Sequence, residues 1–195
     1  HRCQKDGVKI VMNCEVTPEL IKEEKPDSVI IATGSKTLIL PIEGIDNPAI
    51  IHGSDLLDGK RPAGKKVLVV GGGMVGCETA AFLGEQEHDV TVIEFRDTVG
   101  ADVIHEHRVY LMKDFEDYGI KEITGAKVCK FYEDGVEYET ADGVRHETRG
   151  YDSVILSMGF RNYNPLEEKI KDLVPETHVI GDAIRARRAL DATKE

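Results

Sequence analysis

The chain has 195 residues, enough for one ordinary domain or for one domain plus part of another. Asp and Glu number 36 against 25 Lys and Arg, a net charge of −11 that opposes a nucleic-acid partner, since phosphate backbones need a basic footprint. A hydrophobic content of 41% with 31% charged residues suits a folded chain, and no apolar run approaches the roughly 20 residues of a membrane-spanning helix. Cys3, Cys14, Cys77 and Cys129 are scattered without a C-x-x-C pair, so they read as free thiols of a reducing, cytoplasmic compartment. There is no initiator Met and no signal-peptide pattern, and the chain reads as a piece of a longer protein, entered in mid-phrase at His1.

In chain order, Val8 to Met12 is a short β-branched run and Pro18 to Lys25 a brief polar helix or turn. Ser28 to Ala32, S-V-I-I-A, has the composition of a strand buried on both faces. From Lys36 to Gly64 three prolines mark a connector, with Ser54 as N-cap of a short helix through Leu57. Lys65 to Val70 is a strand, followed by three glycines and a helical run from Met74 to about Gln86. Val90 to Ile93 is the next strand and ends at Glu94. Asp102 is a candidate cap for a helix through about Tyr118, which Gly119 stops. Ile120 to Thr124 resumes extended structure. From Lys127, the pairs Asp134-Gly135 and Asp142-Gly143 separate alternating segments, the pattern of a three-stranded antiparallel meander. Ser153 to Met158 and His178 to Ile180 are further strands. The expected class is α/β, a Rossmann-like parallel sheet with an antiparallel meander.

Gly71, Gly73 and Gly76 in G-G-G-M-V-G fit the spacing G-x-G-x-x-G, with Gly72, Met74 and Val75 between them. The spacing gains meaning from its place between a strand and a helix, and from Glu94, which ends the next strand 23 positions after Gly71. Gly71 allows the tight turn, Gly73 lets backbone approach a pyrophosphate, and Gly76 lets the helix lie close on the sheet. The amides and the positive helix end then meet the diphosphate without a Lys. A carboxylate at Glu94 accepts the adenosine ribose hydroxyls and repels the 2′-phosphate of NADPH, so NADH is the expected cofactor; Arg96 is the one nearby feature that favours the phosphate.

The stretches Val16 to Ser35 (V-T-P-E-L-I-K-E-E-K-P-D-S-V-I-I-A-T-G-S), Val67 to Leu83, Val90 to Glu94 and V-I-G-D-A from Val179 to Ala183 keep a distinctive order and spacing. With them the chain resembles the C-terminal FAD/NAD(P)-binding region of NADH:flavin oxidoreductases related to 2,4-dienoyl-CoA reductase, 2-enoate reductase and trimethylamine dehydrogenase. That region is similar in turn to the pyridine nucleotide-disulfide oxidoreductases. The resemblance implies that Thr33, Gly34 and Ser35 form the hand-over from a flavin-binding to an NAD-binding domain, and that Met158 and Gly159 belong to the return. It implies that Gly181 and Asp182 match the G-D motif whose Asp binds the ribityl chain of FAD, and that Glu78 lies near the nicotinamide. An acid favourable to the helix N-terminus is an equal reading of Glu78.

By the same resemblance, residues 61–160 are an NAD(H)-binding domain set into a partial flavin-binding domain of residues 1–60 and 161–195, the latter cut short at Glu195. A glycine loop for FAD, an FMN-binding barrel and a [4Fe–4S] cysteine cluster belong to a part of the parent chain before His1. The implied function is an electron-entry module passing hydride from NADH to FAD, inactive as this chain alone. A nucleotide module holding ADP or NAD without turnover stays open, since Glu94 serves either ligand. The expected partners are a nicotinamide dinucleotide and the other domains of the parent chain. Cys77 reads as a small apolar filler. His105 and His107, about 200° apart on a helix, are not co-ligands, so no metal site and no catalytic side chain are expected.

Overall fold

The computed structural model describes residues 2–194. His1 and Glu195, on which the expectations about the chain's ends fall, lie outside the described residues. In chain order the elements are α1 (Arg2–Lys5), α2 (Pro18–Glu24), β1 (Ser28–Ile31), β2 (Ser35–Thr37), β3 (Ile51–His52), α3 (Gly53–Leu57), β4 (Lys66–Val70), α4 (Met74–Glu85), β5 (Asp89–Ile93), α5 (His105–Asp117) and β6 (Lys121–Ile123). They continue with β7 (Lys127–Tyr132), β8 (Gly135–Glu139), β9 (Arg145–Thr148), β10 (Ser153–Leu156), β11 (Phe160–Asn162), α6 (Glu167–Ile170), β12 (Glu176–Val179), a 3-10 turn over Gly181–Ala183 and α7 (Ala189–Ala192). Two compact units result: one takes the chain up to Lys36 and from Phe160 onward, the other is Thr37–Gly159.

The Thr37–Gly159 unit is built on a parallel sheet of five strands in the order β3-β10-β4-β5-β6. Its central strand reads K-V-L-V-V, and a period of 2 sends alternate residues to opposite faces. Val67 and Val69 pack on one side with Cys77, Ala80 and Leu83 of α4 and Leu111 and Phe115 of α5. Leu68 and Val70 pack on the other with Phe131 and Val136 of the meander β7-β8-β9. Both faces are therefore covered, which is why β4 from Val67 to Val70 and β10 from Val154 to Leu156 are apolar without interruption. Residues 37–60, within the Lys36 to Gly64 stretch read from the sequence as a connector, belong to this unit, because Ile51 and His52 add an edge strand beside Ile155 and Leu156. Two residues are too few to produce a legible period.

Local details depart from expectation in three places. The short helix α3 starts after His52, which offers no side-chain cap, and Ser54 lies inside it. Helix α5 starts after Ile104, also without a side-chain cap, and Asp102 instead accepts a hydrogen bond from the Met74 N–H of α4 at 3.0 Å. In the first unit β1 pairs only with β12 among the described residues, in parallel. Ile31 is buried there, whereas Ile30 is 64% exposed, so S-V-I-I-A buries one face rather than two. Helix α2 follows its sequence signals: the Thr17 side chain accepts from the Leu20 N–H, Pro18 opens the first turn, and Lys25 closes the helix at φ 49°. Val8 to Met12 is exposed and lies outside the strands. Among the described residues, no helix is long and apolar enough to cross a membrane, and no group of three or more His, Cys, Asp or Glu is placed to hold a metal ion.

Cys77 lies wholly inside the α4–sheet interface, its Sγ 3.3 Å from the Gly72 carbonyl. Burial first, then the carboxylates of Asp102, Glu122 and Glu94, push its thiol up to about 12. At pH 8 it stays protonated and out of reach of reagents, while Cys3 and Cys14 are exposed. Titration with a chromogenic disulfide at pH 8 should therefore modify Cys3 and Cys14 rapidly and Cys77 only after unfolding. Mass mapping of a folded sample that finds Cys77 modified as fast as Cys14 would contradict that assignment.

Candidate nucleotide-binding site

The glycine loop occupies the turn from β4 into α4. Gly71 has φ +105°, and a Cβ there would stand 2.4 Å from the Ser157 carbonyl oxygen and 3.1 Å from the Met158 Cα. A side chain is excluded on both counts. Gly76, in the first turn of α4, would place its Cβ 1.8 Å from the Gly71 carbonyl oxygen, so the helix can begin this close to its own strand only with glycine. The middle glycine, Gly72, would meet Glu94 Cβ and Val99 Cγ1 at 2.9 Å each. The spacing rule leaves that position free, yet the packing of the β5 end requires glycine. A third consecutive glycine is the only sequence signal for it.

Gly73 behaves differently. Its backbone is extended, φ −73° and ψ −175°, which any residue adopts. A Cβ would lean toward the Asp102 carboxylate, with Oδ2 at 3.2 Å. Gly73 is also the N-cap of α4 and offers no side chain to the first turn. The cap comes from 28 residues away: Asp102 Oδ1 accepts from the Met74 N–H. Sequence reasoning missed this role, because a cap supplied by another loop leaves no local pattern.

Glu94 stands just past β5, and its carboxylate is held from two sides. Oε2 accepts from the Gly72 N–H at 2.6 Å, and Oε1 accepts from the Arg96 N–H at 2.9 Å. Each oxygen keeps a further lone pair, so a carboxylate fixed this way can still accept two hydroxyls. Gly71 also donates its N–H to the Ile93 carbonyl at 2.9 Å, tying the loop to the strand that carries Glu94. Phe95 follows, 68% exposed. Met74 and Val75 lie in the first turn of α4, half-buried, and Glu78 one turn on is exposed. Glu78 Oε1 lies 3.9 Å from Nε2 of His107 on α5, a cross-helix pair that spacing within one helix does not reveal. Met158 and Gly159 follow β10 beside Gly71; Gly159 has φ +98°, and its carbonyl accepts from the Leu38 N–H.

The remaining expected residues gather in the other unit. Gly34 has φ +76°, and its carbonyl accepts from the Tyr163 N–H at 3.0 Å, while the Thr33 hydroxyl donates to the Tyr163 carbonyl. Ser35 Oγ donates to Asp182 Oδ2 at 3.0 Å, and the Arg187 N–H donates to Asp182 Oδ1 at 3.1 Å. Gly181, at φ +62°, opens the 3-10 turn that presents Asp182. Thr33, Gly34, Ser35, Gly181 and Asp182 thus form one cluster, and Gly71 to Gly76, Glu78, Glu94, Met158 and Gly159 form another.

Comparison with known proteins places this geometry. Residues 2–176 match the family model described as pyridine nucleotide-disulphide oxidoreductase. The chain is 30% identical over 189 residues to cinnamate reductase of Clostridium sporogenes, covering 95% of this chain and 28% of that protein. It is 32% identical over 191 residues to NADH oxidase of Thermoanaerobacter brockii, covering 95% of this chain and 29% of that one. Among solved structures, a 2-naphthoyl-CoA reductase in complex with 2-naphthoyl-CoA superposes with a TM-score of 0.87 at 32% identity, over 98% of this chain and 29% of that one. The chain thus spans less than a third of the length of these relatives. With the match running through the parallel sheet, the glycine turn and Glu94, the chain belongs to the pyridine nucleotide-disulphide oxidoreductase family and carries the NAD(P)- and FAD-binding redox domain of flavin oxidoreductases.

Proposed function

We propose that this chain is the NADH-binding, electron-entry part of a cytoplasmic flavin-dependent reductase, with residues 61–160 as the NAD(H) domain, its sheet extended by the connector of residues 37–60, and residues 1–36 and 161–195 as parts of a flavin domain. The observation that carries the reading is the pairing of the glycine turn at the N-terminus of α4 with a carboxylate, Glu94, anchored by Gly72 and Arg96 N–H groups beside it. The residues fit a dinucleotide. Gly71 and Gly76 shape the turn, Gly73 leaves room for a diphosphate, and Glu94 accepts the adenosine ribose hydroxyls.

NADH, when bound, supplies a hydride for a flavin, so no acid, base or nucleophile of the chain is required; its residues bind, orient and exclude water. Glu78, Met158 and Gly159 are assigned to the nicotinamide half. Thr33, Gly34, Ser35, Gly181 and Asp182 are assigned to the ribityl side of FAD, with Asp182 oriented by Ser35 and the Arg187 N–H. FMN and a [4Fe–4S] centre are assigned to other parts of the parent protein. Two relatives' names, cinnamate reductase and 2-naphthoyl-CoA reductase, support an unsaturated acid or its thioester as the final electron acceptor.

Discrimination between the two nicotinamide cofactors rests on Glu94. The protein should bind NADH at least tenfold more tightly than NADPH, an order of magnitude set by a carboxylate facing a 2′-phosphate. Glu94→Ala should narrow that ratio toward one, as read by fluorescence titration. Equal dissociation constants for the two cofactors in the unmutated protein would remove Glu94 from the site, and tight binding of ADP with none of NADH would favour a non-redox nucleotide module.

Gly73→Val should abolish NADH binding in a folded protein. Its backbone suits valine, and the atom in the way is the end of the Asp102 side chain rather than backbone. Calorimetry checks the affinity and circular dichroism the fold; unchanged affinity in a folded variant makes the loop a turn and nothing more.

The chain by itself should be colourless and should not oxidise NADH even with added FAD. A flavin diphosphate needs a glycine loop of its own, and the G-x-G-x-x-G of this chain is assigned to NADH. Single hydrogen bonds of about 1 kcal/mol from Ser35 or Asp182 do not offset the cost of immobilising so large a ligand. An absorbance scan followed by an assay of FAD-dependent NADH oxidation tests this; a yellow protein that turns over NADH overturns it.

A further inference from the structure

The N-terminus of α4 already has an anion on it. Asp102 Oδ1 accepts from the Met74 N–H at 3.0 Å, and Oδ2 lies 3.2 Å from the point where a Gly73 Cβ would sit. That is the space which the absence of a Gly73 side chain leaves beside the first turn. A helix N-terminus favours negative charge, and a carboxylate and a phosphate oxygen are alternatives for one N–H. We propose that Asp102 is a built-in competitor of the dinucleotide diphosphate, so that its side chain must turn away for the ligand to seat and thereby sets the affinity of the site. The inference rests on the dinucleotide reading above, for which family membership speaks independently of the helix end.

The surroundings say what moves. The backbone on either side of Asp102 is fixed: the Gly100 N–H donates to the Gly72 carbonyl at 2.7 Å, and Val99 and Val103 are buried. Arg108 Nη2 donates to Thr98 Oγ1 at 2.9 Å and to the Val99 carbonyl at 3.1 Å, bracing the loop from α5. Asp102 itself is exposed, so its side chain can rotate into water without disturbing that frame. A second carboxylate, Glu94, accepts from the Gly72 N–H on the other side of Gly73 at 2.6 Å. Glu94 differs in being held at both oxygens, which suits a group that stays and receives the ribose. Asp102 is held at Oδ1, which suits a group that leaves.

Two variants separate this from a supporting role for Asp102. Asp102→Ala removes both the charge and the acceptor, whereas Asp102→Asn keeps an acceptor for the Met74 N–H without charge and so preserves the cap if alanine costs the fold. Calorimetric titration with NADH and with ADP, both of which carry the diphosphate, should show the dissociation constant falling about five- to tenfold in Asp102→Ala and by less in Asp102→Asn, by the same ratio for both ligands. The thermal midpoint without ligand should drop in Asp102→Ala, while the rise on adding NADH should exceed that of the unmutated protein. If both folded variants bind NADH as weakly as, or more weakly than, the unmutated protein, Asp102 supports the site and the competition is overturned while the dinucleotide reading stands. If neither ligand binds the unmutated protein or either variant, the dinucleotide reading fails and the competition with it.

Discussion

Everything at the candidate site depends on how closely α4 can start beside β4. A helix leaving a parallel strand must reverse direction within a few residues, and backbone at Gly71 and Gly76 comes into contact where a Cβ would overlap a carbonyl oxygen. Because this contact is tight, the helix N-terminus points at the carboxyl end of the sheet, where Glu94, Ser157 and Met158 also end up. Met74 and Glu94 share one patch because their elements are joined through Gly72, whose N–H meets Glu94 and whose carbonyl accepts from Gly100.

The sheet makes that turn affordable. Val67 to Val70 are buried between helices on one face and the meander on the other, so the strand that launches the turn is held on both sides. Parallel pairing with β5 brings Val70 opposite Ile93 and aligns the two strand ends, which delivers Glu94 to the glycine loop rather than elsewhere on the surface. Fold and site are the same constraint at different distances: parallel pairing of β4 with β5 sets the register, and the register fixes which side chain follows the strand.

The electrostatics follow from the same geometry. An acidic chain can hold an anionic ligand because the relevant field is local, made of N–H groups and a helix end, while the net charge is spread over the surface and screened. Two carboxylates gather on the glycine turn for that reason. Burial first, and then these carboxylates, raise the thiol of Cys77, so the cysteine beside the loop stays protonated and unreactive.

What the amino-acid sequence determined by itself was whatever is encoded within a dozen or two residues. The apolar runs of β4 and β10, the glycine spacing with Glu94 after the next strand, the Asp-Gly turns of the meander and the Pro18 to Lys25 stretch of α2 all carry local signals, and each element stands in the structure near its expected bounds. Only the tertiary structure decided the features that join distant segments. The edge strand Ile51–His52 is too short to show a period and exists because β10 offers it an open edge. Ile30 is exposed because β1 packs on its other face, where Ile31 meets Ile21, Ile170 and Val174, a fact of packing that an apolar run cannot announce. Asp102 looks locally like the cap of α5, yet α5 begins without it and α4 receives it, because the loop tied through Gly100 to Gly72 brings the carboxylate to the Met74 N–H. Spacing along the chain records hydrogen bonds that close within one turn; a cap across 28 residues is set by packing, and packing is known only when the chain is folded.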